Sequence, residues 1–265
     1  ARFGVSRTFV DGTDAEAIAA AVEPGRTTVV IVESPSNPLL GVVDLAALGS
    51  ITGPFTVVDA TFATPLGQRT LDFGVDMVVH SATKGISGHN DVTLGVIAGE
   101  RDLVEAVWAY SVLHGSVASP ADAQSAVRGL RTLDVRLARQ SASALELARR
   151  LEGHSSVAAV HHPGLESHPQ AALVRSQMHS TGSMLSFELT GGLEAARRLH
   201  DGVSLVRRAT SLGGTETLMC HPASTTHVSL SEEERRSIGV TDGLLRVSVG
   251  LEDVDDLWSD LSPLL

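Results

Sequence analysis

The chain has 265 residues, of which 43% are hydrophobic and 19% are charged, and its formal net charge at pH 7 is −11. This composition excludes a disordered tail or a fibrous repeat, and the negative charge argues against nucleic acid as a partner, because nucleic-acid binding needs a basic face. The single cysteine, Cys220, excludes a disulfide framework, and no apolar run approaches the length of a membrane span. We therefore expect a cytoplasmic protein that does not contact a membrane.

The first half of the chain alternates helical patterns with apolar, β-branched runs. The helical patterns cover residues 14–22 and 43–49. Continuously apolar runs are typical of strands that are covered on both faces, and strand–helix–strand alternation predicts βαβ units and a mostly parallel sheet. The runs that predict strands, each bounded by turn residues, are 27–32, 55–58, 75–79 and 92–97.

The pattern changes after Ser119 and Pro120. Residues 121–151 are rich in Ala, Leu and Arg, which predicts one or two helices leading out of the first domain. Beyond them, helices alternate with three strand candidates, at residues 156–160, 183–189 and 244–249. We predict an α/β protein with a large domain over residues 1–134 and a smaller C-terminal α+β domain over residues 135–265.

Lys84 is the only lysine, although lysine and arginine together number 20. A bias towards arginine leaves two interpretations open. Lys84 is a chance survivor, or it occupies a site that needs an amine able to lose its proton and attack a carbonyl, which a guanidinium cannot do. The count alone does not decide between them.

The surroundings of Lys84 favour a catalytic site. Asn37, Asp59 and Lys84 each follow the end of an apolar run, and the carboxyl ends of parallel strands are where ligands bind. A lysine can hold an aldehyde cofactor as a Schiff base, and a carboxylate can keep a pyridine nitrogen protonated. An amide can orient the ring, and the hydroxyls of Ser81 and Thr83 can bind a phosphate.

Several ordered motifs carry a resemblance to the Cys/Met-metabolism family of pyridoxal-phosphate (PLP) enzymes. This family includes cystathionine γ-synthase, cystathionine γ-lyase, methionine γ-lyase and the O-acyl-homoserine sulfhydrylases. The resemblance runs essentially from end to end, and it implies the aspartate-aminotransferase-like fold, fold type I. The motifs are Ser-Pro-Ser-Asn-Pro (34–38), Val-Asp-Ala-Thr-Phe-Ala-Thr-Pro (58–65), Ser-Ala-Thr-Lys (81–84), Gly-His (88–89), Arg-Gly-Leu-Arg-Thr-Leu (128–133), Ser-Leu-Gly-Gly (211–214), His-Pro-Ala (221–223) and Arg-Val-Ser-Val-Gly-Leu-Glu (246–252).

The resemblance also implies roles for individual residues. Lys84 would bind PLP covalently and move protons as the catalytic acid and base. The other residues it places at the cofactor are Asp59 at the pyridinium nitrogen, Asn37 near the phenolic oxygen, Thr61 near the ring, and Ser81 and Thr83 at the phosphate. The residues it places at the substrate are Arg246 and Ser211 at the α-carboxylate, and Thr210 at the position that selects the side chain.

Simpler interpretations remain beside these roles. Asp59 alone could cap a turn, and Arg246 could be a structural partner in an ion pair. The eleven histidines form no His-x-x-x-His arrangement, so we expect no metal site. The Ser-Leu-Gly-Gly sequence at 211–214 lacks the Gly-x-Ser-x-Gly elbow of a hydrolase.

The printed sequence departs from the family at its start, because it begins inside the family's large domain. The family's N-terminal part would hold the phosphate-binding helix start, a tyrosine stacked on the cofactor and a Tyr/Arg pair lent to a neighbouring active site. The only tyrosine, Tyr110, matches none of these positions. We therefore expect residues 1–265 alone to bind PLP weakly, and an upstream segment or a partner chain to restore binding.

The predicted function is a PLP-dependent C–S lyase that eliminates a thiol from a sulfur amino acid. Thr210 stands where many cystathionine-handling members have glutamate, and residues 214–224 are similar to methionine γ-lyases. Residues 225–227 and 238–240 are instead similar to sulfhydrylases, so γ-replacement on an O-acyl-homoserine remains an alternative. A non-catalytic paralogue or partner subunit is a second alternative. The partners implied are an amino-acid substrate and further copies of the chain, as a dimer of dimers.

Overall fold

The computed structural model describes residues 2–265 and contains two sheets. The first sheet has the strand order β1-β2-β3-β4, with β1, β2 and β3 parallel and β4 antiparallel to β3. Its strands are β1 (Val29–Glu33), β2 (Phe55–Asp59), β3 (Met77–Ser81) and β4 (Gly95–Gly99). The sheet is mostly parallel, as the apolar runs predict, but the direction of β4 was not foreseen.

The second sheet has the order β5-β6-β9-β8-β7 and is antiparallel except between β7 and β8. Its strands are β5 (Val157–His161), β6 (Met184–Leu189), β7 (Arg207–Arg208), β8 (Leu218–Cys220) and β9 (Leu244–Ser248). Every residue of the central strand β9 is buried. The predicted domain boundary, after residue 134, lies at the start of the helix that precedes this sheet and stays a prediction.

Helices connect and cover the strands. The α-helices are α1 (Ala15–Ala20), α2 (Leu45–Gly49), α3 (Thr64–Gly67), α4 (Arg101–His114), α5 (Pro120–Leu130), α6 (Leu133–Glu152), α7 (Ala171–Gln177), α8 (Gly192–Gly202), α9 (Glu232–Ser237) and α10 (Val254–Leu261). Short 3₁₀ helices cover Arg2–Gly4, Thr70–Phe73, Pro222–Ser224 and Ser262–Leu264. The segment predicted as one or two helices is two, α5 and α6. No helix in residues 2–265 is long and apolar enough to cross a membrane.

Side-chain caps explain where several helices begin. Asp14 and Asp44 accept hydrogen bonds from the backbone N–H groups of Ala17 and Ala47, which satisfies donors that a helix start leaves free. Ser119 caps α5 in the same way, and Pro120 follows at the first helical position, where its missing N–H costs nothing.

The main core of the first sheet lies on one of its faces. Ile18 of α1 and Leu45 and Leu48 of α2 contact Val58 and Val78 in a core beneath the sheet. On the opposite face the side chains that line up across β1 and β2 are exposed, namely Val29, Ile31 and Phe55. Met77 of β3, on the same face of the sheet, is buried. The prediction that the strands are covered on both faces therefore does not hold at these positions of β1 and β2.

The second sheet turns one face to its helices and the other to the first sheet. Leu245 and Val247 lie in a core with residues of α6, α8 and α10. Because side chains alternate along a strand, Arg246 and Ser248 point to the opposite face. That face meets the turn after β1, where the Ser186 hydroxyl donates to the Pro38 carbonyl at 2.7 Å. The fold thus brings β9 against the strand ends of the first sheet.

Candidate active site

Three of the predicted residues lie where parallel strands end. Asp59 is the last residue of β2, Ser81 is the last residue of β3, and Asn37 lies in the turn after β1. The backbone N–H of Asn37 donates to Glu33 Oε2 at 3.1 Å, which holds this turn against the end of its strand. The sheet therefore gathers the three residues at its carboxyl edge, where the sequence predicts them.

Thr61 joins the ends of β2 and β3. Asp59 Oδ1 accepts the backbone N–H of Thr61 at 2.9 Å, and the Thr61 hydroxyl accepts the backbone N–H of Ser81 at 2.8 Å. Within residues 2–265, Asp59 Oδ2 has no hydrogen-bond partner. One oxygen of the carboxylate fixes its orientation while the other is left for a ligand.

The Lys84 side chain reaches the second half of the chain. Its Nζ donates to Ser211 Oγ at 3.0 Å, across 127 residues of sequence. Partial burial and the positive charge of Arg246 both lower the pKa of the Lys84 amine, burial being the larger cause. A lowered pKa increases the fraction of neutral amine, which is the form that attacks a carbonyl.

Arg246 is almost fully buried beside this pair. Its Nη1 donates to Asn37 Oδ1 at 2.9 Å, and its Nη2 donates to the Thr210 carbonyl at 2.6 Å. The exposed side chain of Thr210 does not take part in these bonds. The structure thus brings Arg246 together with Asn37 and with the segment that carries Thr210 and Ser211.

The two hydroxyls predicted for a phosphate differ in their contacts. The Thr83 hydroxyl accepts the backbone N–H of Leu94 at 2.9 Å and lies 3.3 Å from the Leu94 carbonyl, so it fastens the lysine turn to the start of β4. Among the described residues, the Ser81 hydroxyl has no hydrogen-bond partner. Ser81 is therefore the freer of the two hydroxyls.

Sequence reasoning missed two buried polar residues of α6, Arg136 and Gln140. Arg136 donates to the carbonyl of Gly85, next to the lysine, and Gln140 donates to the carbonyl of Gly214. A signal existed, because both residues fall on the face of α6 that also carries apolar positions such as Leu137. The arginine-rich composition of the segment concealed it.

The donor set fits PLP. A lysine with a lowered pKa, a carboxylate with one free oxygen, and a free serine hydroxyl lie at the same sheet edge. Asn37 keeps its Nδ2 group as a donor, because its Oδ1 accepts from Arg246. In residues 2–265, no group of His, Cys, Asp and Glu side chains is placed to hold a metal ion.

A mostly parallel sheet with a single lysine at its carboxyl edge, facing a buried arginine of a second sheet, defines a PLP-dependent enzyme of fold type I. The family model described as Cys/Met metabolism PLP-dependent enzyme matches residues 1–265. The chain belongs to this family. The resemblance, the fold type, the cofactor and the PLP-dependent enzyme of sulfur amino-acid metabolism that the sequence predicts are thereby confirmed.

Individual relatives in this family have names that agree with the predicted activity. The chain is 45% identical to an L-methionine gamma-lyase of Pseudomonas putida over 99% of its length and 67% of the relative's. It is 43% identical to a cystathionine beta-lyase of Bacillus subtilis, covering 100% of this chain and 68% of the relative. The prediction of a C–S lyase of sulfur amino acids agrees with both names.

A solved structure of a cystathionine gamma-lyase from Micromonospora echinospora matches with a TM-score of 0.92 and 43% identity, covering 97% of this chain and 68% of that one. The chain thus spans about two thirds of the length of these relatives. The roles assigned to single residues are not tested by these comparisons and stay predictions.

Proposed function

We propose that this chain carries the lysine, the pyridinium carboxylate and the carboxylate-binding arginine of a PLP-dependent C–S lyase that acts on methionine or a similar sulfur amino acid. The observation that carries the proposal is the 3.0 Å hydrogen bond between Lys84 Nζ and Ser211 Oγ, with Arg246 buried beside it. This arrangement brings an amine with a lowered pKa close to a cation suited to an α-carboxylate.

Lys84 is the group that moves protons. When bound, PLP supplies a pyridinium ring that accepts electron density from the substrate's α-carbon. Asp59 Oδ2 would keep a proton on the ring nitrogen, while Oδ1 accepts the Thr61 backbone N–H. The neutral Lys84 amine would take the proton from the substrate's α-carbon, give it up again as an acid, and only then, neutral once more, take one from the β-carbon. The Ser211 hydroxyl, which accepts a hydrogen bond from Nζ, holds the amine in place.

Arg246 orients the substrate. Its guanidinium has five N–H donors, and the bonds to Asn37 and to the Thr210 carbonyl fix its plane. Nη2 also lies 3.5 Å from the Ser211 carbonyl. The N–H groups that remain would bind the substrate's carboxylate as donors in one plane, which a lysine could not provide. Asn37 Nδ2, oriented by the same contact, would donate to the cofactor's phenolic oxygen.

Thr210 supports methionine over cystathionine as the substrate. Its side chain is neutral and exposed, so it offers no charge to the distal ammonium group of cystathionine. A thioether that ends in a methyl group needs no such partner. The carboxylate of a glutamate at this position would favour the longer, charged substrate.

The test uses the PLP-loaded full-length protein that contains this chain. L-methionine should yield 2-oxobutanoate, ammonia and methanethiol, and Thr210→Glu should move the ratio of kcat/KM values towards cystathionine. Ser229→Glu, an exposed change elsewhere in the second half, is the matched control. Formation of homocysteine from an O-acyl-homoserine and sulfide, without release of 2-oxobutanoate, would mean that the reaction is γ-replacement and not elimination. No reaction with any of these substrates would favour a non-catalytic subunit.

We propose further that the protein assembles as a homo-oligomer, a dimer of dimers. Support comes from α4, in which no residue is buried although it carries several large apolar side chains. Trp108 is 65% exposed and Leu113 is 83% exposed. Contiguous apolar surface of this kind is typical of an interface between copies. Light scattering of the full-length protein should give four times the protomer mass, and Leu113→Glu should lower it; a monomer would contradict the proposal.

A further inference from the structure

Arg136 is a buried cation whose partners are all neutral oxygens. It is 4% exposed and donates from Nη1 to the Gly85 carbonyl at 2.9 Å and from Nη2 to the Ile86 carbonyl at 3.2 Å. Nη2 also donates to the Gly129 carbonyl at 2.8 Å, and Nε donates to the Thr132 hydroxyl at 3.1 Å. A charge buried without a counter-ion is costly, so this geometry serves something other than an ion pair.

The carbonyls that Arg136 binds belong to the turn that carries Lys84. Gly85 and Ile86 directly follow the lysine, and the Lys84 carbonyl accepts the backbone N–H of Gly88 at 2.8 Å. A Cβ atom at Gly88 would overlap the Arg136 guanidinium. Arg136 therefore fills the space inside residues 84–88, which we call the lysine turn. The turn can then adopt only one position relative to α6.

Gln140 makes the corresponding contact with the segment that carries Ser211. It lies one helical turn after Arg136, is 2% exposed, and its Nε2 donates to the Gly214 carbonyl at 2.6 Å. Residues four apart lie on the same face of a helix, about 6 Å apart along its axis. One face of α6 thus holds both backbone segments.

The two segments also touch each other. A Cβ atom at Gly213 would overlap the backbone nitrogen of Gly85, so the lysine turn and the Ser211 turn are packed backbone against backbone. The Gly213 N–H donates to Ser248 Oγ at 2.8 Å, which ties the same turn to β9. Contacts this close transmit a small displacement of either segment to the other.

We propose that Arg136 and Gln140 are positioning residues that together set the contact between Lys84 Nζ and Ser211 Oγ. Arg136 fixes the turn on the lysine side, Gln140 fixes the turn on the serine side, and the rigid helix between them sets their separation. The inference rests on the proposed roles of Lys84 and Ser211, but it concerns the placement of the amine and not the substrate.

The test measures the amine directly, in the cofactor-free full-length protein. Acetic anhydride labels neutral amines, and peptide mass spectrometry follows the Lys84 peptide from pH 7 to 11. The unchanged sequence holds no other lysine, and peptide mapping separates Lys84 from a lysine that a substitution adds. The pH of half-maximal labelling reports how Lys84 lies relative to Arg246 of β9 and Ser211. No turnover is needed, so failure here is distinct from failure of the proposed function.

Two variants should change the position of the segments that carry Lys84 and Ser211 without changing the charge of the protein. Arg136→Lys keeps the cation but replaces two donor nitrogens of a planar guanidinium with one ammonium nitrogen on a shorter side chain. Gln140→Leu removes one amide from a buried site. In each variant we expect the half-maximal pH to rise by about one unit, so that labelling at pH 8 slows about tenfold. Arg139→Lys, at an exposed position of α6, and Gln124→Leu, at an exposed position of α5, should leave it unchanged.

A purely structural role predicts a different result. It would lower the unfolding temperature of both variants while the half-maximal pH stayed at the wild-type value, and that outcome would overturn the proposal. If Arg136→Lys does not fold, Gln140→Leu decides alone, because it removes a single hydrogen bond and fills the same space with an apolar group.

Discussion

Arg246 and Asn37 connect the centre of the second sheet to the edge of the first across 209 residues of sequence, through a 2.9 Å bond from Nη1 to Oδ1. Hydrogen bonds to a charged group contribute about 1.5–3 kcal/mol. The bond orients both partners at once, so its loss should affect the binding of the substrate's carboxylate even though Asn37 does not contact that group in our proposal.

Asn37→Ala should therefore raise the KM for the amino-acid substrate by about tenfold or more in the full-length enzyme. Steady-state kinetics with L-methionine give the measurement, and Gln124→Ala, at an exposed position of α5, serves as control. A KM within twofold of the wild-type value would mean that Arg246 keeps its position without Asn37.

Lys84 should carry the cofactor. Borohydride reduction of the PLP-loaded protein, followed by peptide mapping, should place the pyridoxyl group on the Lys84 peptide. Lys84→Arg should keep the fold, because the side chain is only partly buried, and should abolish turnover, because a guanidinium does not attack the carbonyl. Label on a chain terminus, or on no peptide at all, would contradict the assignment.

Asp59→Asn should reduce kcat on the order of a thousandfold, because an amide does not keep a proton on the ring nitrogen. The amide oxygen can still accept the Thr61 N–H, so the fold and cofactor binding should persist. Circular dichroism and the visible absorbance of the bound cofactor check those two points. A rate within about tenfold of wild type would place Asp59 away from the ring.

Much of the first sheet could be predicted from sequence. Continuous β-branched runs bounded by turn residues locate β1, β2 and β3 to within two or three residues. The direction of β4 could not be predicted, since the same composition suits either direction. Strand ends then indicate Asn37, Asp59 and Lys84 as neighbours without any long-range information.

The rest of the site depends on contacts that no local pattern encodes. Ser211 meets Lys84 only because the second sheet packs on the first, and the resemblance, not periodicity, pointed to it. Arg136 was missed because an arginine in an arginine-rich helix normally faces solvent. Its burial becomes visible only when the lysine turn lies against the helix.

His162 should make the stability of the protein depend on pH. Burial is the main cause that lowers its pKa to about 4, and the charges of His168 and Arg149 act in the same direction. The unfolded state, with a pKa near 6.5, binds the proton first as pH falls. Stability is therefore complete above about pH 6.5 and falls by about 3 kcal/mol towards pH 4.

Urea unfolding at pH 7.5 and at pH 5 tests this dependence. His162→Gln should lower stability at both values, because it removes the acceptor for the Gly164 N–H, but should reduce the difference between them. His161 and His168, whose pKa values burial also lowers, leave a smaller dependence in place. The exposed His179→Gln should change neither value, and an undiminished difference in His162→Gln would remove His162 as the cause.

Gly88→Ala should separate backbone strain from packing at the lysine turn. Gly88 has a φ of +68° and lies against Arg136, whereas Gly25 has a φ of +72° and open space around the missing side chain. The left-handed conformation costs an alanine about 1–2 kcal/mol at either position. Overpacking adds about 1–3 kcal/mol at Gly88 only.

Urea unfolding should therefore show a larger loss of stability for Gly88→Ala than for Gly25→Ala. The double substitution of Gly88→Ala and Arg136→Ala should cost less stability than the sum of the two single changes. Equal losses for Gly88→Ala and Gly25→Ala would mean that the guanidinium does not fill the turn.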